Sequence, residues 1–228
     1  MNAIIIGATS GIGQSLWRHY ASLGWNVAVM GRRMDELDKM KSIFPEHTIP
    51  VCCDIADLDS FNEAFICILG KLTGIDIVIV CAGVGELNPT LDVSTEISTL
   101  DVNVHGWTNC VDTAYNHFVK QGYGHLVTIT SVGGLQPTPI APAYSASKAF
   151  QINYTKSLQR KSKGSSVAVT EIRPGLVDTR MAKGEGLFWV MPLEKTVAKI
   201  IKAIDGKRKR AIVDSRWHAI NFLLKHFM

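Results

Sequence analysis

The sequence predicts an α/β protein built on a doubly wound, mostly parallel seven-stranded sheet with helices on both faces. Three observations carry that prediction. Seven short apolar, β-branched runs recur along 228 residues, segments of helical period separate them, and a glycine-rich turn joins the first run to the first helix. Strands that are apolar without clean alternation are buried on both faces, as in a parallel sheet covered by helices. Right-handed crossovers wind such a sheet outward in both directions and leave a ligand crevice at the carboxyl ends of its strands.

The elements follow in order. The first run, Ala3–Ile6, enters the turn Gly7-Ala8-Thr9-Ser10-Gly11-Ile12-Gly13 and then a helix on which Ile12, Leu16, Tyr20 and Leu23 share a face. Val27–Met30 and Thr48–Cys53 are the second and third strands, and Ile75–Cys81 is the fourth. A helix with Leu100, Val104, Val111, Tyr115 and Phe118 on one side precedes the fifth strand, Leu126–Ser131. Val167–Ile172 is the sixth, the stripe Val197, Ile200, Ile201 and Ile204 marks another helix, and Ala211–Val213 is the last strand. No repeat, linker or low-complexity tract interrupts this order, so a single domain over residues 1–228 is expected.

Composition narrows the class. A hydrophobic fraction of 46% and a charged fraction of 19% belong to a folded globular chain, not a disordered one. A net charge of +4 is too small and too scattered to argue for nucleic acid. Five cysteines form no CxxC pair and leave an odd count, which reads as reduced thiols. The start Met1-Asn2-Ala3 lacks the basic and long apolar segments of a signal peptide, and no apolar run approaches the roughly 20 residues that span a bilayer. A soluble, cytoplasmic protein is expected, with no metal.

The glycine turn stands where a phosphate-binding turn belongs. Glycine lets the backbone turn tightly and approach a pyrophosphate, whose charge is met by N–H groups at the helix start. The spacing is GxxxGxG, and taken alone it suits a structural turn as well as a nucleotide. The end of the second strand bears on which nucleotide. An acid there accepts from the ribose 2′-hydroxyl of NAD, whereas this chain reads Met30-Gly31-Arg32-Arg33. The planar guanidinium fork of Arg32, with Arg33 beside it, matches the 2′-phosphate of NADP; the plain alternative is a solvated loop pair. NADP(H) is therefore the expected cofactor.

Tyr144-Ser145-Ala146-Ser147-Lys148 places a phenol and an ammonium four residues apart on one helical face. A nearby cation favours the phenolate, so such a tyrosine can give a proton to a carbonyl oxygen or take one from an alcohol. Alone, the pair arises easily by chance.

Taken together these residues resemble the short-chain dehydrogenase/reductase family in its compact single-domain branch, with a Rossmann-type fold. The resemblance runs from Gly7 to about Thr179. The turn with Gly7, Thr9, Ser10, Gly11, Ile12 and Gly13 matches the family's nucleotide turn. Asp54-Ile55 looks like the pair that contacts adenine, and Cys81-Ala82-Gly83 matches the family's Asn-Ala-Gly. Asn103 matches a helical asparagine that holds a water against the lysine. Ser131 stands thirteen residues before Tyr144, as the family's substrate-orienting serine does. Pro174-Gly175-Leu176-Val177-Asp178-Thr179 resembles the segment that fixes the nicotinamide carboxamide, chiefly through Pro174, Gly175, Val177 and Thr179.

The resemblance implies a tetrad of Asn103, Ser131, Tyr144 and Lys148. Tyr144 is then the general acid/base, Ser131 binds the reacting oxygen, Lys148 binds ribose hydroxyls and keeps Tyr144 poised, and Asn103 anchors a relay water. Cys81 departs from the family's asparagine. A thiol is a poor substitute donor, which puts the bracing of neighbouring strands in question.

The family covers its substrate with the segment after the proline-glycine turn, here Arg180–Pro192. Gly184 and Gly186 are possible hinges, and Leu187, Phe188, Trp189 and Met191 possible apolar walls, which implies an apolar or aromatic carbonyl or alcohol. The same side chains equally suit packing on a second subunit, and the resemblance implies a homodimer or homotetramer. Lys207-Arg208-Lys209-Arg210 precedes the last strand, and Trp217, Ile220, Leu223, Leu224, Phe227 and Met228 form an apolar stripe. A basic run before an amphipathic helix suits an anionic membrane surface, but docking on the protein's own body is the commoner use of such a helix.

The expected function is hydride transfer between NADP(H) and a small carbonyl or alcohol compound. The alternative is a catalytically silent NADP-binding regulator on the same fold. A sensor has no need of a proton-transfer pair, so the tetrad favours the enzyme. No C-terminal substrate domain follows the sheet, which disfavours a dehydratase or epimerase of the family's longer branch.

Overall fold

The computed structural model describes residues 1–180, 189–214, 216 and 217. Seven strands form one sheet: β1 (Asn2–Ile6), β2 (Asn26–Gly31), β3 (Thr48–Cys52), β4 (Ile77–Val80), β5 (Gly124–Ile129), β6 (Val167–Arg173) and β7 (Arg210–Ile212). Their order is β3-β2-β1-β4-β5-β6-β7, and all six pairings are parallel. The helices are α1 (Gly11–Ser22), α2 (Met34–Ile43), α3 (Leu58–Leu69), α4 (Val93–Leu100), α5 (Trp107–Gln121), α6 (Pro142–Lys161) and α7 (Leu193–Asp205).

Alternation along β1 explains the two layers of helices. Ile4 and Ile6 pack with Phe61, Phe65, Trp107 and Phe118 on one face, while Ala3 and Ile5 pack with Leu16, Trp17, Ile200 and Ile204 on the other. Both faces are dry, so all four residues are apolar. The chain leaves β1 toward β2 and later returns on its other side as β4, so the strand order reverses between β1 and β4. A crevice opens at such a reversal, and the glycine turn after β1 lies at its floor.

Two helical faces differ from expectation. Leu23 is 61% exposed, because α1 ends at Ser22 and Gly24 turns the chain away with φ +78°. Between α4 and α5 the chain winds as a π-helix over Asp101–Gly106. That wider turn changes the angular spacing, so Thr99 and Asn103 are buried where the apolar pattern pointed to Leu100 and Val104. Wide turns of this kind cluster at functional sites. Of the C-terminal stripe only Trp217 falls within the described residues. Among those residues no helix is long and apolar enough to cross a membrane.

Candidate active site

The glycine turn is shaped by close approach. Gly7 has φ +84°, and a Cβ there would lie 2.5 Å from the Ala82 nitrogen. A Cβ on Gly13 would lie 2.3 Å from the Gly7 carbonyl oxygen. Only hydrogen fits at both places, and the turn stays against the ends of β1 and β4. Ser10 precedes α1 without capping it through its side chain, and the first turn carries no acid. The N–H groups at the start of α1 are thus left for an anion, and the helix dipole favours one there.

At the end of β2, Arg33 donates from Nε (3.1 Å) and Nη2 (2.6 Å) to the Thr9 hydroxyl, which fixes its guanidinium beside the turn. Arg32 is more exposed and pairs with Asp54 at 3.6 Å. Asp54 also accepts from the Ala56 N–H at 3.0 Å, and Ile55 is buried.

Ser131 follows β5, and its Oγ accepts from the Gly133 N–H at 3.0 Å. Tyr144 and Lys148 lie on α6, whose first turn is held by Glu96: the carboxylate accepts from the Ala143 N–H at 2.8 Å and from Asn88 Nδ2 at 2.7 Å. The Tyr144 ring slots between two glycines. A Cβ on Gly85 would lie 3.1 Å from one ring edge, and a Cβ on Gly133 would lie 3.2 Å from the other. Burial raises the Tyr144 hydroxyl above its ordinary range, and a hydrogen bond with Ser131 pulls it back. The Lys148 ammonium stands 5.9 Å from the centroid of that ring. Burial pushes it down to about 8, opposed by the neighbouring Cys81 thiol.

Asn103 is fully buried in the π-helical stretch. Its Oδ1 accepts from the Val84 N–H at 2.9 Å, and its Nδ2 donates to the Val84 carbonyl (2.8 Å) and to Ser147 Oγ (3.0 Å). Its backbone carbonyl accepts from Gln151 Nε2 at 2.8 Å, and Gln151 Oε1 accepts from Lys148 Nζ at 2.9 Å. Gln151 thus bridges the Asn103 carbonyl and the Lys148 ammonium, the two groups between which the resemblance places a water. The sequence carried a signal for Gln151: it shares a helical face with Tyr144 and Lys148, and it is polar in a buried stripe.

Cys81 packs against the core, and burial pushes its thiol up to about 12, so it stays neutral. The brace between β1 and β4 is retained by the backbone, with the Cys81 N–H donating to the Ile6 carbonyl at 2.8 Å.

The segment after the proline-glycine turn is anchored at both ends. Met191 donates to the Leu176 carbonyl and Asp178 donates to the Met191 carbonyl, each at 2.9 Å. Met191 is therefore not a wall of the substrate space. It packs into the core with Ile200 and Val197, because the short parallel bridge with Val177 draws it inward. Gly184, Gly186, Leu187 and Phe188 lie outside the described residues. Trp189 meets Trp217 edge to face at 6.2 Å, and the Trp217 indole lies directly on Gly175, where a Cβ would sit 2.3 Å from its Nε1.

The glycine turn, the end of β2, Ser131, Tyr144, Lys148 and the proline-glycine turn border one cleft of about 1150 Å³. Every proposed cofactor residue lines it, as do Ser131, Tyr144 and Lys148; Asn103 stands behind the wall. The space exceeds the ~300–1,000 Å³ of a common small-molecule pocket, which suits a dinucleotide together with a second small molecule. The uncapped helix start, the two glycines that admit no side chain and the guanidinium fixed by Thr9 all fit the phosphates of such a group. Val84, Leu87, Leu135, Ile140, Leu176 and Trp217 give the remaining space apolar walls.

Known proteins share this architecture. An uncharacterized oxidoreductase of Mycobacterium tuberculosis is 30% identical over 219 residues, which cover 92% of this chain and 87% of that protein. An uncharacterized oxidoreductase of Staphylococcus epidermidis is 28% identical over 184 residues, 80% of each chain. Among solved structures, a short chain dehydrogenase/reductase from Burkholderia phymatum in complex with NAD superposes with a TM-score of 0.90 at 19% identity, covering 99% of this chain and 92% of that one. A serine dehydrogenase complexed with NADP+ gives 0.80 at 24% identity, covering 89% and 88%. The family model for short chain dehydrogenases matches residues 1–187. The chain belongs to the short chain dehydrogenase family, whose members are oxidoreductases that use a nicotinamide cofactor.

Proposed function

We propose that this protein transfers a hydride between NADP(H) and a small, apolar or aromatic carbonyl or alcohol compound, with Tyr144 as general acid/base. The observation that carries the reading is convergence. Ser131, Tyr144 and Lys148 line the same cleft as a glycine turn whose helix start is left uncapped. A single domain over residues 1–228 then supplies both cofactor and catalytic groups.

The nicotinamide, when bound, donates or accepts the hydride at the substrate carbon. The protein does the rest. Ser131 Oγ and the Tyr144 hydroxyl bind the substrate oxygen, and Tyr144 passes its proton to that oxygen in reduction or removes one in oxidation. Lys148 lends positive charge to the phenolate and reaches the ribose hydroxyls. Asn103 holds the wall behind Lys148. Gly7, Thr9, Ser10, Gly11, Ile12 and Gly13 cradle the pyrophosphate, and Asp54, Ile55, Ala82 and Gly83 border the adenosine. Pro174, Gly175, Val177 and Thr179 take the carboxamide end. Arg32 and Arg33 meet the 2′-phosphate.

A homodimer or homotetramer is what the family resemblance implies, and light scattering measures it. Five free thiols, Cys53 and Cys110 of them buried, suit a reducing, cytoplasmic setting. The decisive test is purified protein with NADPH against a panel of ketones, quinones, sugars and steroids, following loss of the reduced nicotinamide. No turnover on any compound, with NADPH bound tightly, would favour a silent regulator instead.

A further inference from the structure

We propose that Gln151 is a positioning residue that fastens the Lys148 ammonium to the backbone carbonyl of Asn103 and keeps that ammonium charged. The inference rests on the reading above, in which Lys148 serves Tyr144. It adds a residue that the tetrad does not contain.

The geometry leaves the amide one orientation. A backbone carbonyl only accepts, so Nε2 must face Asn103, at 2.8 Å. Oε1 is thereby turned to Lys148 Nζ, at 2.9 Å, and offers it an acceptor with no proton of its own. Gln151 is fully buried, as is Asn103, and Lys148 is 5% exposed. In such surroundings an unmatched ammonium tends to lose its proton, and an acceptor that binds the charged form more strongly than the neutral amine opposes that loss. The ionisable groups facing Nζ are the Tyr144 phenol on the same helix and the Cys81 thiol after β4. Burial raises both of them, so both are uncharged near neutral pH and neither replaces the Gln151 oxygen.

The anchor at the other end is unusual backbone. The Trp107 N–H bonds to the Val102 carbonyl, five residues back, so the helical ladder changes register around Asn103. The Asn103 carbonyl meets the Gln151 amide at that change. Its side chain meanwhile holds Val84 and Ser147, so one asparagine joins the π-helix, the loop after β4 and α6. A carboxamide passes no proton without tautomerising. The Asn103–Gln151–Lys148 link therefore holds the ammonium and does not itself conduct protons.

The test is a titration of Lys148 in the full chain labelled with ¹³C at lysine Cε, followed by NMR, the signal assigned with Lys148→Arg. A hydrogen bond to a charged group predicts that Gln151→Leu lowers the proton affinity of Lys148 by about tenfold or more. Gln151→Glu, which keeps an acceptor oxygen and adds charge, is expected to raise it. A purely structural glutamine would lower the melting temperature in Gln151→Leu and leave the Lys148 midpoint where it was; that result overturns the proposal. Should the leucine variant not fold, Gln151→Met, unbranched and of similar length, makes the same test. Should neither fold, an unchanged or lowered midpoint in Gln151→Glu overturns it. No substrate or cofactor enters the titration, so a failure to find turnover would count against the reductase reading alone.

Discussion

Arg32 and Asp54 face one another across 3.6 Å at the open ends of β2 and β3, and both are well exposed. An exposed pair of this kind contributes at most about 1 kcal/mol, so a dianionic phosphate displaces the carboxylate readily. Arg33, held by Thr9, stands beside it already oriented. NADPH is expected to bind tighter than NADH by about tenfold to a hundredfold, the ratio that one charge-assisted contact gives. Arg32→Ala should erase most of that ratio by weakening NADPH alone, and Asp54→Asn should widen it. Calorimetric titration of both cofactors decides the matter, and equal affinities in the parent protein would sink the assignment.

Tyr144→Phe keeps the ring between Gly85 and Gly133 and removes only the transferable proton. Turnover should fall by about 10²–10⁴-fold, the usual contribution of a general acid/base, with NADPH affinity unchanged. Lys148→Ala should damage both. A Tyr144→Phe protein that kept half the parent rate on a confirmed substrate would refute the mechanism.

Lys148 also sets a pH dependence of stability. Its folded midpoint, about 8, lies below the ordinary 10.5, because burial penalises the ammonium. Between those values the unfolded chain holds more protons, so stability rises with pH across that window. Below about 8 both states are charged and the whole penalty stands, on the order of 3 kcal/mol. The melting curve of the parent minus that of Lys148→Met should therefore climb from pH 8 to 10, which cancels the thiols and phenols that titrate nearby. A flat difference would show that the ammonium is not buried as described.

Gly13→Ala should cost both stability and cofactor affinity. The added Cβ would lie 2.3 Å from the Gly7 carbonyl oxygen, a backbone atom that cannot swing aside. Either α1 moves off β1 or the turn opens, and the phosphate donors lose their alignment. Thermal melting and NADPH titration should both worsen, and an unchanged affinity would argue that no pyrophosphate sits at this turn.

Truncation after Ser215 removes Trp217, whose indole lies on Gly175 and borders the cleft. The shortened protein should melt lower and bind NADPH more weakly. The same truncation tests the membrane alternative: loss of tight binding to anionic vesicles, with stability intact, would mean that the tail serves a lipid surface.

The sequence by itself determined the strand set, the glycine turn and the Tyr144–Lys148 pair. Those features are local: β-branched runs, a turn that only glycine can make, and two residues one helical turn apart. Ser131, Asp54 and Pro174 are legible only through family spacing, since no local physics marks a strand-end serine or a loop aspartate. Tertiary structure decided the rest. A π-turn moved the buried face from Leu100 and Val104 to Thr99 and Asn103, and nothing in the apolar period announces an inserted residue. Met191 went into the core because of a bridge to Val177, which stands fourteen positions earlier in the chain. Gln151 reads from sequence as a polar residue on the tyrosine helix. Only the packing of α6 against the π-turn shows that its two amide ends are both spoken for, because a buried amide must satisfy each of them.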